Sequence, residues 1–126
     1  MAVEGKDRYA FYTDNDECEP GSGSGKRLRT GTAELVRDIL NKDPIRMMTA
    51  YEGNIHLCRG GDDRRNVPTA FVECKFFGGG GYEVFEAFDK AMHELYRNVL
   101  SIQPQDLYIK YEVIYGWGEP AKIFKI

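Results

Sequence analysis

The chain has 126 residues, 42% hydrophobic and 13% aromatic, which suffices for one domain with a packed core and is too short for two of ordinary size. Its 17 Lys and Arg against 20 Asp and Glu leave a net charge of −3, so the balance gives no reason to expect nucleic acid as a partner. No apolar run reaches the ~18 residues of a membrane span, and the N-terminus carries no apolar signal core, so no membrane partner and a cytoplasmic location are expected.

Arg8-Tyr9-Ala10-Phe11-Tyr12-Thr13 is rich in residues that suit a pleated sheet and reads as the first strand. Residues 14–30 turn acidic, then Gly-Ser-rich, then basic, and the centre Gly21-Ser22-Gly23-Ser24-Gly25 predicts a flexible loop near 19–30. Thr32 stands where it would cap the following helix, whose Leu35, Val36, Ile39 and Leu40 form one apolar stripe and which Asp43-Pro44 ends. Residues 45–51 read as the second strand. Residues 53–68 read as a loop-rich excursion with a hairpin turn at Gly60-Gly61.

The stretch 69–77 alternates Ala70, Val72, Cys74 and Phe76 on one face with Glu73 and Lys75 on the other, the period of a half-buried strand. Four glycines, 78–81, stop it. From Tyr82 the period lengthens: Val84/Phe85, Phe88, Ala91/Met92, Leu95 and Val99 recur at three and four residues, which predicts a helix of about five turns. After Ser101-Ile102-Gln103-Pro104 the alternation returns, with Leu107, Ile109, Tyr111 and Val113 opposite Tyr108, Lys110 and Glu112. One face of each late strand is too polar for a dry core, so the helices are expected on the other face. The order strand, helix, strand occurs twice, and the expected class is α+β, β-α-β-β-α-β, in a single domain over 1–126.

The run Leu100-Ser101-Ile102-Gln103-Pro104-Gln105-Asp106-Leu107-Tyr108-Ile109-Lys110-Tyr111 resembles the helix-to-last-strand junction of the macrophage migration inhibitory factor-like branch of the tautomerase superfamily. The spacing needs no gap from 69 to 111, and Lys42-Asp43-Pro44, Gly60-Gly61 and Pro68 follow in the same order upstream. Downstream, Gly116-Trp117 and Phe124 resemble the family's Gly-Trp and terminal Phe. The resemblance implies a homotrimer with pockets between subunits and no cofactor or metal.

It also implies a chemistry. Family members use an N-terminal proline to move a proton in keto-enol tautomerisation of small aromatic or carbonyl acids of the phenylpyruvate type, because a secondary amine titrates close to working pH. Here Met1 is followed by Ala2, and Arg8 stands where that proline would be. An always-protonated guanidinium cannot act as the base. By the same resemblance Tyr108 matches the tyrosine lent by a neighbouring subunit, the one catalytic candidate, and Lys42 matches the lysine that pairs with a substrate carboxylate. Phe77 replaces an aliphatic residue whose backbone faces the substrate, Lys110 stands where asparagine is frequent, and Trp117 and Phe124 supply an aromatic wall. With Arg8, these are the expected substrate-binding residues. The family's CxxC places hold Thr69 and Val72, so thiol-disulfide chemistry is not implied.

Each of these residues also has a plainer reading. Lys42 suits a helix C-terminus, where the dipole favours a cation. Tyr108 suits sheet or interface packing, and Trp117 and Phe124 suit a core or subunit seam. His56 and His93 read as dispensable, His93 on a solvated helix face. Cys18, Cys58 and Cys74 are an odd, unspaced set that fits a reducing compartment, and with His56 they offer no zinc spacing. The string from Gly21 to Lys26 has glycines too close for a phosphate loop, and Arg27 where Ser or Thr is needed. Glu73-Cys74-Lys75 imitates the acid-x-lysine element of magnesium-dependent nucleases, with Asp62 or Asp63 as partners, but charge pairing with Lys110 or Glu112 across a sheet explains it as well. The expected function is a weakened or altered tautomerase, with a non-catalytic binding or signalling protein of the same fold as the alternative and a magnesium-dependent nuclease as a minor one.

Overall fold

A computed structural model describes residues 8–13, 23–53, 57–63, 67–78, 81–114, 116–119 and 122–125. Four strands form the main sheet in the order β2-β1-β5-β6: β1 (Arg8–Thr13), β2 (Met48–Glu52), β5 (Ala70–Phe77) and β6 (Leu107–Ile114). The pairs β1/β2 and β5/β6 are parallel, and β1 and β5 meet antiparallel at the centre. A parallel pair needs a crossover. Helices α1 (Gly23–Asp38) and α2 (Tyr82–Leu100) supply one each, so two β-α-β units lie back to back. A small hairpin of β3 (Cys58–Arg59) and β4 (Asp62–Asp63), and another of β7 (Gly116–Glu119) and β8 (Lys122–Lys125), complete the described chain. The expected β-α-β-β-α-β order and α+β class are therefore present.

The core follows from the two periodicities. On β5 every second residue, Ala70, Val72, Cys74 and Phe76, is buried, and Leu107 joins them from β6. Helix α2 lays Phe88, Met92, Tyr96 and Leu100 on that face, four residues apart. Helix α1 adds Leu28, Thr32 and Val36 at the same step. Phe76 anchors an aromatic cluster, with ring centroids 5.3 Å from Phe85, 6.3 Å from Phe88 and 6.1 Å from Tyr111.

Several boundaries differ from expectation. The loop predicted near 19–30 is helical from Gly23 onward, and residues 19–22 lie outside the described residues. Glycine lowers helix propensity by about 1 kcal/mol relative to alanine, but the buried stripe from Leu28 to Val36 offsets that cost through packing. Thr32 is accordingly not a cap; it lies mid-helix and is buried. Gly31 lies where α1 meets α2: a Cβ there would fall 2.6 Å from Leu95 Cδ1. The second strand begins at Met48 rather than 45, because Pro44–Arg46 form a 3-10 turn whose first amide, Ile45 N–H, donates to Asp43 Oδ1 at 3.0 Å. The hairpin turn at Gly60-Gly61 is as expected, with φ of 60° and 85°, the left-handed values a two-residue turn requires.

His93 is a further correction. Its side chain is 23% exposed, and its ring nitrogens lie 2.9 Å from the Asp89 carbonyl and 3.2 Å from the Leu107 carbonyl. With its proton on Nε2 the ring donates to the Leu107 carbonyl and ties α2 to the start of β6, whereas a proton on Nδ1 is donated to Asp89 within α2. His56 and Cys18 lie outside the described residues; Cys58 is exposed and Cys74 buried. Among the described residues, no helix is long and apolar enough to cross a membrane.

Candidate functional site

Both helices leave through a non-glycine residue in the left-handed region, Asn41 at φ 55° and Ser101 at φ 58°. Each reversal returns the next amide to the helix end: Lys42 N–H donates to the Val36 carbonyl at 3.3 Å, and Ile102 N–H to that of Tyr96 at 3.4 Å. The first turn fixes where Lys42 emerges. Its Nζ donates to the Phe77 carbonyl at 3.5 Å, at the C-terminal end of β5.

Arg8 shares this end of the sheet. Its backbone opens β1 opposite Lys75 of β5 and Met48 of β2, two residues short of Phe77 along β5. The Arg8 side chain lies outside the described part of the chain, as does that of Phe124. Three of the sequence-predicted positions thus converge here: Lys42, Phe77 and the main chain of Arg8.

Tyr108 lies at the other end. It pairs with Phe71 at the start of β5, six residues from Phe77, which at the strand rise is roughly 20 Å away. Its side chain is 56% exposed. One protomer therefore does not bring Tyr108 to Lys42. Lys110, also on the exposed face of β6, has its Nζ 3.6 Å from Glu112 Oε1. The register sets Glu73 opposite Lys110 and Lys75 opposite Glu112, the cross-strand alternation of charge expected of ordinary sheet pairing. Trp117 faces the Phe124 position across the β7/β8 hairpin, and its indole nitrogen is buried with no partner among the described residues.

Beside Tyr108 there is a cavity of about 170 Å³ that sequence reasoning did not single out. It is lined by residues of the β3 strand, the start of β5 and the β6 approach, including Cys58, Arg59, Phe71, Asp106 and Tyr108. Arg59 Nη1 donates to the Gln105 carbonyl and lies 3.5 Å from Oδ1 of buried Asp106. The only trace of this in the sequence is the Gly60-Gly61 turn, which folds Arg59 back; its meeting with residues 105 and 106 is a contact across 46 positions.

Among the described residues of the sheet, Tyr111 has its ionisation perturbed. Burial, reinforced by the hydroxyl's 2.7 Å hydrogen bond to Asp89 Oδ1 and by that carboxylate's charge, pushes the Tyr111 phenol above its ordinary value.

No protein-family model matches the sequence, and no curated protein matches it. Solved structures do. Macrophage migration inhibitory factor of Toxoplasma gondii superposes with a TM-score of 0.78 at 17% identity, over 93% of this chain and 99% of that one. The corresponding factor of Trichinella spiralis gives 0.75 at 19% identity, over 93% and 99%. A third structure, of Pt0534 inactivated by 2-oxo-3-pentynoate, gives 0.72 at 11% identity, over 85% of each chain. The chain therefore has the macrophage migration inhibitory factor-like tautomerase fold.

Proposed function

We propose that the chain assembles as a homotrimer whose seams bring Tyr108 of one copy to Lys42 and Phe77 of the next, forming pockets for small anionic aromatic or carbonyl acids. The observation that carries this reading is the split of the site: Lys42 and Phe77 meet at one end of the sheet, and Tyr108 stands exposed at the other. The outer strands support it. Ile45 (84% exposed) and Met48 (69%) lie at the β2 side, and Tyr108 and Val113 (38%) lie on β6, so both edges present apolar side chains to solvent. A head-to-tail contact between unlike edges closes into a ring when the rotation allows.

Lys42 supplies the charge for the carboxylate, and the main chain around Phe77 lines the same point. Keto-enol proton transfer of the phenylpyruvate type is the chemistry such a pocket serves in the fold's relatives by resemblance, and a protein of this fold reacts with a 2-oxo acid analogue. In this chain it is weak, because β1 opens at Arg8 rather than at a terminal proline and a guanidinium takes up no proton. Binding or signalling without turnover is the second reading, favoured by that same Arg8.

Light scattering tests the assembly, and titration with phenylpyruvate together with an enolisation assay tests the pocket. Lys42→Ala is expected to weaken phenylpyruvate binding about tenfold, the scale of one charge-assisted contact. A monomer at all concentrations, or unchanged binding in Lys42→Ala, refutes the composite pocket. Removing residues 1–7 and replacing Arg8→Pro places a secondary amine at the head of β1 and is expected to raise enolisation at least about tenfold, a modest share of general base catalysis. Turnover no higher than that of the parent chain favours the binding reading.

A further inference from the structure

We infer that the cavity between Arg59 and Tyr108 is a carboxylate-binding subsite, distinct from Lys42, for a small aromatic or unsaturated acid. The guanidinium is oriented before any ligand arrives. Both of its contacts, to the Gln105 carbonyl and to Asp106, use Nη1. Nε and Nη2 have no partner among the described residues, and this edge of the fork has the spacing for two parallel hydrogen bonds to a carboxylate. Asp106 lies beneath the arginine with a side chain 4% exposed, so it holds Nη1 from the protein side, while Arg59 itself is 38% exposed.

The rest of the cavity suits the body of such an acid. Phe71 and Tyr108 line it with aromatic surface, and Leu57 and Ala70 add aliphatic surface. At about 170 Å³ it is smaller than the ~300–1,000 Å³ of pockets for drug-sized ligands, and close to the ~150 Å³ that holds a benzene ring. It therefore takes a one-ring acid or the end of a longer one. Asp106 reduces the local positive charge, so the apolar lining of Phe71, Leu57 and Ala70 decides for an acid with an apolar body over simple inorganic anions.

As the wall of a seam pocket, the subsite rests on the trimeric reading; as an acid-binding cavity within one chain, it does not. Exposed Cys58 lines the cavity and provides a local reporter. Phenylpyruvate is titrated against the whole protein while alkylation of Cys58 by iodoacetamide is followed by peptide mass spectrometry. Wild-type protein is expected to show protection of Cys58 that saturates. Arg59→Lys, which keeps a charge over Asp106 but loses the fork, is expected to need about tenfold more acid for the same protection. Leu57→Trp, which fills the cavity and leaves the Arg59–Asp106 contact in place, is expected to abolish ligand-dependent protection.

Lys42→Ala separates the two proposals. If Cys58 protection survives Lys42→Ala and is lost in Arg59→Lys, the subsite stands whatever becomes of the seam pocket. If Arg59→Lys and Leu57→Trp both protect as wild type does, the subsite is refuted, even where Lys42→Ala shows that phenylpyruvate binds at the seam. Absence of protection in the wild type also overturns it.

Discussion

Tyr111 shows how one side chain carries two jobs. Its ring closes the aromatic cluster with Phe76, Phe85 and Phe88, and its hydroxyl donates to Asp89 on α2. Because the folded state suppresses ionisation of its phenol, the unfolded chain loses that proton first as pH climbs. The stability it contributes is intact below the ordinary tyrosine value of about 10 and declines as pH rises beyond it. Tyr111→Phe is expected to lower stability near neutral pH by about 1 kcal/mol, for one hydrogen bond, and to flatten the alkaline limb of a urea-midpoint profile. An unchanged alkaline limb would assign the loss above pH 10 to other groups. Thr32 works in the other direction: it is 2% exposed, and its hydroxyl has no partner among the described residues. Thr32→Val keeps the shape and removes the orphan, so denaturant melts are expected to show a gain of about 1 kcal/mol.

At the scale of elements, Gly31 marks where α1 lies against Leu95 of α2. Gly31 faces Leu95 with no room for a Cβ in the present packing, so Gly31→Leu must separate the helices or displace Leu95. Such overpacking is expected to cost about 1–3 kcal/mol, read as a lower denaturation midpoint. A melt equal to wild type would show that the Leu95 side chain gives way at no cost. This contact also explains the main error of sequence reading. Gly23 and Gly25 look like loop by composition, yet Gly25 is buried inside α1, and Gly31 farther along allows the close approach to Leu95, so these two glycines, Gly25 and Gly31, sit in packed positions. By contrast β5 was legible throughout, because its period of two places at Ala70, Val72, Cys74 and Phe76 the residues found buried. In α2 the expected stripe held at Phe88 and Met92, but its last two turns bury Tyr96 and Leu100, while Leu95 and Val99 are only partly covered. The β7/β8 hairpin was not foreseen as strands, since four-residue elements hold too little periodicity to read.

At the scale of the molecule, the candidate site is divided between two ends of one sheet. Lys42, Phe77, Tyr108 and Lys110 were legible as positions through their resemblance and spacing, but their distribution was not. If seams complete the pocket, a chain lacking Lys42 and one lacking Tyr108 should rescue each other. Lys42→Ala and Tyr108→Phe proteins, unfolded together and refolded as a mixture, are expected to contain a fraction of sites that bind phenylpyruvate more tightly than those of either variant alone, because some seams then hold both native residues. Binding that stays at the level of the separate variants would argue against shared sites.

Local order along the chain set what the sequence could determine alone. Apolar spacing of two residues or of three and four fixes strands and helices, and the doubled strand-helix-strand order fixed the class, because those patterns act between near neighbours. The tertiary structure decided the rest. It closed α1 over its glycines, tied His93 to Leu107, brought Lys42 to Phe77 and Arg59 to Asp106, and set Tyr108 at the far end of the sheet. Those are contacts between residues distant in sequence, fixed by strand register and helix crossing, and no periodicity within one segment encodes them.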